Sequence, residues 1–392
     1  MLTCFEHGTS RSAVALPFDL DQRLASWAAL RPAMARQLPA AFSRDEWAYL
    51  ISFLAPDNLM RPFEQTFGQP LAEGADTAAV DALFRPRREV AVWLPNNVSL
   101  LGPLVLVLVS LTGARITMKA GSRADDLCQA FLSYARQHLP AGDLKNHLHE
   151  EAQVRVFDRH DPANATLSAA ADVRIVFGSD AAVAAIAALP HPAGSVLVPF
   201  GDHQSEAWAE VAALDDTQLQ TLAKVFAIYG TAGCTSPRRL RLIDGDLPQA
   251  LVVRDRLAAL WPSANRQDVP MHVASQNIAA RQVAAAQGWE ATLTPRHAAM
   301  LAVGSDDLPA PIGLTSLCIV PTDRAALQAQ LPANLQTVGH ALRDARHPHW
   351  LAMLANSPVK RFVPLAQMHH FGAVWDGSNF WRNLFEQVDV AK

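Results

Sequence analysis

Glu89-Val90-Ala91-Val92-Trp93-Leu94-Pro95-Asn96-Asn97 is a short apolar run closed by a proline and two asparagines. β-Branched and aromatic residues favour a strand here, and Pro95-Asn96-Asn97 ends it. The segment that follows, Leu100 to Thr112, is apolar almost throughout. A helix that is apolar on every face must be buried, and Gly113 stands at a plausible C′ position. Ala114-Arg115-Ile116-Thr117-Met118-Lys119 then reads as a second strand. Strand, buried helix and strand in close succession predict one βαβ unit of a parallel sheet.

The same alternation runs on downstream. Gly121-Ser122 turns the chain, and Ala124 to His138 is an amphipathic helix. Gln153 to Phe157 is a third strand, Ala165 to Ala170 a short helix, and Val173 to Phe177 a fourth strand that ends in Gly178-Ser179. Asp180 to Leu189 is helical, and Ser195 to Phe200 is the fifth strand. This pattern predicts an open α/β sheet covered on both faces, and ligands bind such sheets beyond the carboxyl ends of the strands. Asn96-Asn97, Lys119, Gly178-Ser179 and Gly201 fall at those ends.

A second α/β pattern follows, with strands at Arg239–Asp244, Ala299–Val303, Leu317–Val320 and Gln336–Val338 and helices at Leu247–Trp261 and Asn277–Gln287. Residues 1–87 read as a helical segment; Ser43-Arg44-Asp45-Glu46 is an N-cap with acid in the first turn of a helix through Leu54. The pattern predicts 1–87 helical, 88–230 a parallel α/β domain, 231–365 a second domain around a cysteine, and 366–392 a C-terminal segment.

Half of the 392 residues are hydrophobic and the net charge is −4. That balance predicts no nucleic-acid partner. The longest apolar run is too short for a membrane span. The four cysteines, Cys4, Cys128, Cys234 and Cys318, have neither metal-ligand spacing nor a dense disulfide pattern, so they read as free thiols of a reducing, cytoplasmic compartment with no metal site. One of them stands apart. Tyr229-Gly230-Thr231-Ala232-Gly233-Cys234-Thr235-Ser236-Pro237-Arg238-Arg239 sets a cysteine in a turn of small residues after a helical run, Thr221 to Ile228. Small neighbours leave room for an acyl group to approach the sulfur, and backbone amides of such a turn can stabilise a thiolate and an oxyanion. The plain alternative is a buried cysteine acting as a small hydrophobe.

No Gly-x-Gly-x-x-Gly follows any strand, so the ordinary dinucleotide fingerprint is missing. Four ordered segments nevertheless resemble those of the aldehyde dehydrogenases, which bind a nicotinamide dinucleotide without it. Pro95-Asn96-Asn97-Val98 resembles their Pro-Trp-Asn-Phe turn, Met118 to Ser122 their Lys-Pro-Ser-Glu segment, Phe177-Gly178-Ser179 their Thr-Gly-Ser segment, and Gly233 to Arg238 the stretch around their nucleophilic cysteine. Within that superfamily the chain is most similar to the LuxC-type acyl-CoA (fatty acid) reductases, through the Cys234 turn with Ser236-Pro237-Arg238, Leu335-Gln336-Thr337-Val338-Gly339 and Trp375-Asp376-Gly377. The resemblance covers roughly residues 88–385 and implies an aldehyde-dehydrogenase-like fold of two parallel-sheet α/β domains: 88–230 as a Rossmann-like nicotinamide dinucleotide-binding domain, 231–365 as the catalytic cysteine domain, and 366–392 as a segment returning to the cofactor domain, after the helical segment 1–87.

It also implies a chemistry. Cys234 would be the nucleophile, Asn97 the side-chain donor to the oxyanion, and Lys119 the residue at the adenosine ribose of the cofactor. Gly178, Ser179 and Gly201 would let the backbone approach the cofactor. Ser122 stands where NAD-dependent relatives carry a glutamate, and with Arg123 beside it leans toward NADPH, with NADH as the alternative. The hydrolytic relatives' Glu-Leu-Gly-Gly-Lys segment corresponds to Val198-Pro199-Phe200-Gly201-Asp202-His203-Gln204-Ser205, which has no glutamate, so an acyl-Cys234 thioester should resist water. Asp202 or His203 could restore a base, and His203, or His369 and His370, could supply a proton. The expected activity is NADPH-dependent reduction of an acyl thioester, on coenzyme A or a carrier, to an aldehyde. The rivals are an aldehyde dehydrogenase running oxidatively and a silent docking subunit. The resemblance further implies a homo-oligomer and, among partners, an acyl-activating ligase or carrier protein.

Overall fold

The computed structural model describes residues 1–8, 10–72, 80–98, 100–121, 127–231, 233–266, 269–305, 315–375 and 377–390. Ser122, Arg123 and Asp376 lie outside the described residues. The chain forms two compact units, Met1–Gly201 with Gly372–Lys392, and Asp202–Phe371.

The first unit opens with strands β1 (Leu2–His7) and β2 (Ser10–Ala15), paired antiparallel. Helices α1 (Leu20–Arg36), α2 (Arg44–Phe53) and α3 (Pro56–Phe67) follow, then β3 (Gln69–Pro70) and β4 (Ala82–Pro86). Residues 1–87 thus hold strands as well as the expected helices. Their sheet is completed by chain far downstream, which local sequence pattern cannot show. The predicted cap of α2 is present: Ser43 and Glu46 form a reciprocal capping box.

The cofactor-type sheet is built from β5 (Glu89–Trp93), β6 (Arg115–Lys119), β7 (Ala152–Arg155), β8 (Val173–Phe177) and β9 (Val196–Phe200). Its order is β7-β6-β5-β8-β9, and every pair is parallel. That is the 3-2-1-4-5 order of a doubly wound dinucleotide fold, with the switch point beside the first strand, β5. The connections are α4 (Leu101–Ser110), α5 (Leu127–His138), α6 (Asp143–Glu150), α7 (Ala163–Ala170) and α8 (Asp180–Ala187). As its sequence requires, α4 is buried at every position.

The second unit has a seven-stranded sheet, and it starts earlier than sequence pattern suggests. Its first strand is β10 (Gln204–Glu210), followed by α9 (Asp216–Tyr229) and β11 (Pro237–Ile243). Then come α10 (Leu247–Ala264), α11 (Met271–Ala286), β12 (Glu290–Leu293), β13 (Met300–Val303), β14 (Ser316–Thr322), β15 (Leu335–Ala341), α12 (Pro348–Ala355) and β16 (Arg361–Pro364). The order is β12-β13-β14-β11-β10-β15-β16; only β12 runs antiparallel to its neighbour. Leu219, Leu222, Phe226, Leu240, Leu242, Leu257 and Trp261 pack into its largest core.

The chain then returns to the first unit with β17 (Val374–Trp375), β18 (Ser378–Asn379) and β19 (Phe385–Asp389), and the first sheet is ordered β19-β4-β2-β1-β3.

Candidate active site

Helix α9 ends at Gly230, whose φ of 54° lies in the left-handed region that glycine enters without steric cost. The chain drops into the turn that carries Cys234. Gly233 must be a glycine: a Cβ there would lie 2.9 Å from the Tyr229 Cβ and 3.2 Å from the Ser236 Oγ. The Ser236 amide closes the turn on the Gly233 carbonyl at 3.0 Å. Cys234 is half-buried, whereas Cys4, Cys128 and Cys318 are buried. Burial pushes the Cys318 thiol up to about 12, so it stays protonated and inert.

Two side chains hold this turn from outside it. The Ser205 hydroxyl donates to the Cys234 carbonyl at 2.6 Å. His369 Nε2 lies 2.6 Å from the Val225 carbonyl, and its Nδ1 lies 2.6 Å from the Thr235 hydroxyl. A carbonyl only accepts, so Nε2 carries the hydrogen and Nδ1 accepts from Thr235. Tyr229 packs edge-on against the imidazole at 5.0 Å. His369 is half-buried, and desolvation depresses its pKa to about 4. His369 is therefore a neutral brace for the cysteine turn, with both ring nitrogens engaged, and not the exposed proton donor that the His369-His370 pair suggested in the sequence. His203 is half-buried and immediately precedes β10. Ser205 stands two positions further on and pairs in register with Pro237. His203 and the Cys234 turn thus flank the starts of adjacent parallel strands.

Two irregularities mark the same edge of the sheet. Ser205 pairs with Pro237 but Glu206 with Arg239, leaving Arg238 as an extra residue. Gln204 pairs with Leu335 but Ser205 with Thr337, leaving Gln336 as another. Such bulges re-aim side chains and cluster near functional sites. Around them the Ser236 Oγ, the Thr337 Oγ1 and both amide atoms of Gln336 are buried without a hydrogen-bond partner among the described residues. Buried polar atoms of this kind call for water or a ligand.

The Val198–Ser205 segment that replaces the hydrolytic glutamate segment runs from β9 into β10. The next residue is a glutamate, yet it is fully committed. Glu206 accepts from Arg241 Nε at 2.7 Å, from Arg241 Nη2 at 3.2 Å and from Trp208 Nε1 at 3.0 Å. Neither Glu206 nor Arg241 has exposed side-chain surface. A carboxylate so paired is not available to activate water. Ser205, the brace role of His369 and the Glu206–Arg241 pair all escaped the sequence reading. Only the two-residue alternation in Ser205-Glu206-Ala207-Trp208-Ala209-Glu210 could have signalled the strand that carries two of them.

In the other unit, Asn97, Lys119, Gly178, Ser179 and Gly201 lie at or just beyond the carboxyl ends of β5, β6, β8 and β9. Asn96 and Asn97 are exposed, and the N-cap position of α4 is Leu100. The Gly178 amide donates to the Phe200 carbonyl at 3.0 Å, and Ser179 caps α8 through the Ala182 amide at 3.3 Å. A Cβ on Gly201 would collide with the Asp180 carboxylate, and one on Gly121 would lie 2.7 Å from the Pro95 carbonyl. At both positions the missing side chain lets neighbouring protein atoms pack onto the backbone. Lys119 is buried, which lowers its pKa, while the charge of Asp158 acts in the opposite sense. A cation at the carboxyl end of a strand in this sheet order fits a dinucleotide. Among the described residues, no group of three or more His, Cys, Asp or Glu could hold a metal, and no helix is long and apolar enough to cross a membrane.

A family model described as acyl-CoA reductase (LuxC) matches residues 21–386. No curated protein gives a significant match. Among solved structures, the chain is similar to an oxidoreductase from Marinobacter aquaeolei (11% identity, 96% of this chain and 87% of that one, TM-score 0.64). It is likewise similar to a succinic semialdehyde dehydrogenase from Streptococcus pyogenes in complex with NADP+ (10% identity, 95% and 90%, TM-score 0.64). A NAD-dependent benzaldehyde dehydrogenase from Corynebacterium glutamicum is comparable (10% identity, 95% and 85%, TM-score 0.62). At these identities the likeness shows the fold, that of the aldehyde dehydrogenases.

Proposed function

The chain belongs to the acyl-CoA reductase (LuxC) family, and from that premise we propose that it reduces an acyl thioester to an aldehyde through acyl-Cys234, with NADPH as reductant. The observation that carries this reading is the contrast among the cysteines: Cys234 alone of the four is not buried, and its turn is braced by Ser205 and His369. The thiolate of Cys234 attacks the acyl carbon, a new C–S bond forms, and the carrier thiolate leaves. Asn97 keeps the role the resemblance gives it, an amide donor to the oxyanion. His203 is the candidate to pass a proton to the leaving thiolate.

When bound, the reduced nicotinamide would supply the hydride that brings the acyl carbon to the aldehyde level. Lys119, Gly178, Ser179 and Gly201 would hold the dinucleotide. Collapse of the resulting thiohemiacetal then breaks the C–S bond, frees the aldehyde and returns the thiolate. Glu206 supports the reductive direction: its carboxylate is tied up by Arg241 and Trp208 and does not deliver water to the thioester. A reducing, cytoplasmic setting with an acyl-activating partner suits such a thiol.

Intact-mass analysis after incubation with a panel of acyl-CoAs, without reductant, tests the first step. An acyl adduct on the wild type that vanishes in Cys234→Ala is expected. Folded wild-type protein that takes up no acyl group from any donor would sink the covalent mechanism. Asn97→Ala should slow acylation about 10²–10³-fold, the usual effect of one lost oxyanion donor.

A further inference from the structure

Beside Lys119 at the carboxyl end of β6, the end of β7 carries residues that the cofactor assignment does not use. Lys119 and Arg155 are the last residues of their strands and are paired in register, so their side chains leave the same face of the sheet. Phe157 follows, half-buried, and both cations approach its ring: Lys119 Nζ lies 5.9 Å and Arg155 Cζ 5.4 Å from the centroid. Arg159 is exposed next to it, its Nε 2.9 Å from His160 Nε2.

The loop is held in place. Asn164, buried, donates to the carbonyls of Asp158, Arg159 and Asp161 at 3.1, 3.2 and 3.0 Å and accepts from Trp93 Nε1 at 2.9 Å. Trp93 ends β5, the strand at the switch point. Two cations thus stand over the Phe157 ring, and Arg159 and Asp158 follow on a loop pinned to the middle strand.

In this strand order, the end of the second strand meets the adenosine ribose. An acidic residue there reads the 2′-hydroxyl, and a nearby arginine accommodates a 2′-phosphate. Here the second strand, β6, ends in a lysine, and the neighbouring third strand, β7, ends in an arginine. We propose that Arg155, with Lys119 and Arg159, forms the subsite for the 2′-phosphate of the dinucleotide and that Phe157 seats its adenine. The assignment rests on the nicotinamide-cofactor reading above and names residues outside the segments that suggested it. Guanidinium groups bind phosphate dianions through paired, charge-assisted hydrogen bonds, and an aromatic face stacks a purine.

The test is direct binding to the full-length protein, followed by tryptophan quenching, for wild type, Arg155→Gln, Arg159→Gln and the double variant. The ligands are NADPH, NADH, 2′,5′-ADP and 3′,5′-ADP. Both arginines are exposed, so the variants should fold, and circular dichroism checks that. The double variant should bind NADPH and 2′,5′-ADP at least about tenfold more weakly and NADH within about twofold of wild type. Unchanged NADPH affinity in the folded double variant overturns the subsite and leaves the cofactor reading standing. Preference of the wild type for 3′,5′-ADP, the ribose phosphate of coenzyme A, overturns the assignment to the dinucleotide. A wild type that binds neither dinucleotide removes the cofactor reading and the subsite together.

Discussion

Strands β5 and β10 are interior strands of parallel sheets, one in each unit, and they are made of different chemistry. β5 is Glu-Val-Ala-Val-Trp, buried from Val90 onward by apolar side chains. β10 is Gln-Ser-Glu-Ala-Trp-Ala-Glu, equally buried from Ser205 onward, with a fully enclosed glutamate. The first follows the expectation that parallel strands read as apolar runs. The second is possible because Arg241 of the adjacent β11 brings the opposite charge, and Trp208 a further donor. A buried ion pair contributes little net stability compared with a well-packed apolar pair, but half of one is costly. The unit that carries Cys234 therefore has a polar weak point one residue along from Ser205, and the other unit's middle strand has none.

Breaking the pair should give the largest effect. Arg241→Met removes the closest partner of the enclosed Glu206, leaving Arg239 at 3.4 Å, and should cost about 3–5 kcal/mol. Glu206→Leu combined with Arg241→Met should recover most of that loss. Chemical denaturation of the three proteins measures both. In β8, by contrast, Ile175→Val should cost only about 0.5–1.5 kcal/mol, because it removes one methylene from an apolar site. Equal costs for Arg241→Met and Ile175→Val would erase the distinction between the sheets.

An acid titration sharpens the comparison at intermediate size. Each unit holds one histidine kept neutral by desolvation, His147 buried and His369 half-buried, and both are lowered to about 4. The unfolded chain takes up these protons below its ordinary value near 6.5, whereas the folded chain does not until about 4. Stability is therefore complete above about pH 6.5 and falls as the pH drops toward 4. At pH 5 the loss is about 2 kcal/mol per histidine. His147 Nε2 has no partner among the described residues, whereas His369 bonds Thr235 and Val225. His147→Leu should therefore be nearly neutral at pH 7 and reduce the acid loss. His369→Leu should reduce the acid loss as well but destabilise at pH 7, because it strands a buried hydroxyl and a carbonyl. Melting temperatures at pH 7 and pH 5 read both.

The same contrast explains what the sequence revealed. β5, β6 and β8 were legible because apolar runs and terminal prolines, asparagines and glycines are local signals. The Cys234 turn was legible because small residues and a helix end are local too. β10 was not, because Glu206 and Glu210 make it look like surface until Arg241 and Arg324 are brought to them by the fold. β1 and β2 form a hairpin with each other, but they stayed hidden because their sheet is completed by β4, which pairs with β2, and by β19 near the other end of the chain, which pairs with β4. The brace on the cysteine turn needs His369 and Thr235 to meet across 134 residues, and no spacing rule marks that.

The smallest expected effect is the most specific. Ser205 and Ser43 each use a hydroxyl to satisfy one backbone group, Ser205 the Cys234 carbonyl and Ser43 the Glu46 amide at the start of α2. Replacing either by alanine should cost about 1 kcal/mol, the usual value for one neutral hydrogen bond or one helix cap. The consequences for chemistry should differ. Ser205 fixes the backbone of Cys234, the proposed nucleophile, and a displaced nucleophile loses rate out of proportion to stability. Ser205→Ala should slow single-turnover acylation about tenfold while thioester binding holds, and Ser43→Ala should leave the acylation rate unchanged. If the two variants match in stability and also acylate equally fast, the bond from β10 to the cysteine turn only holds the fold. The polar strand would then owe its composition to packing alone, with no bearing on how the sulfur is aimed.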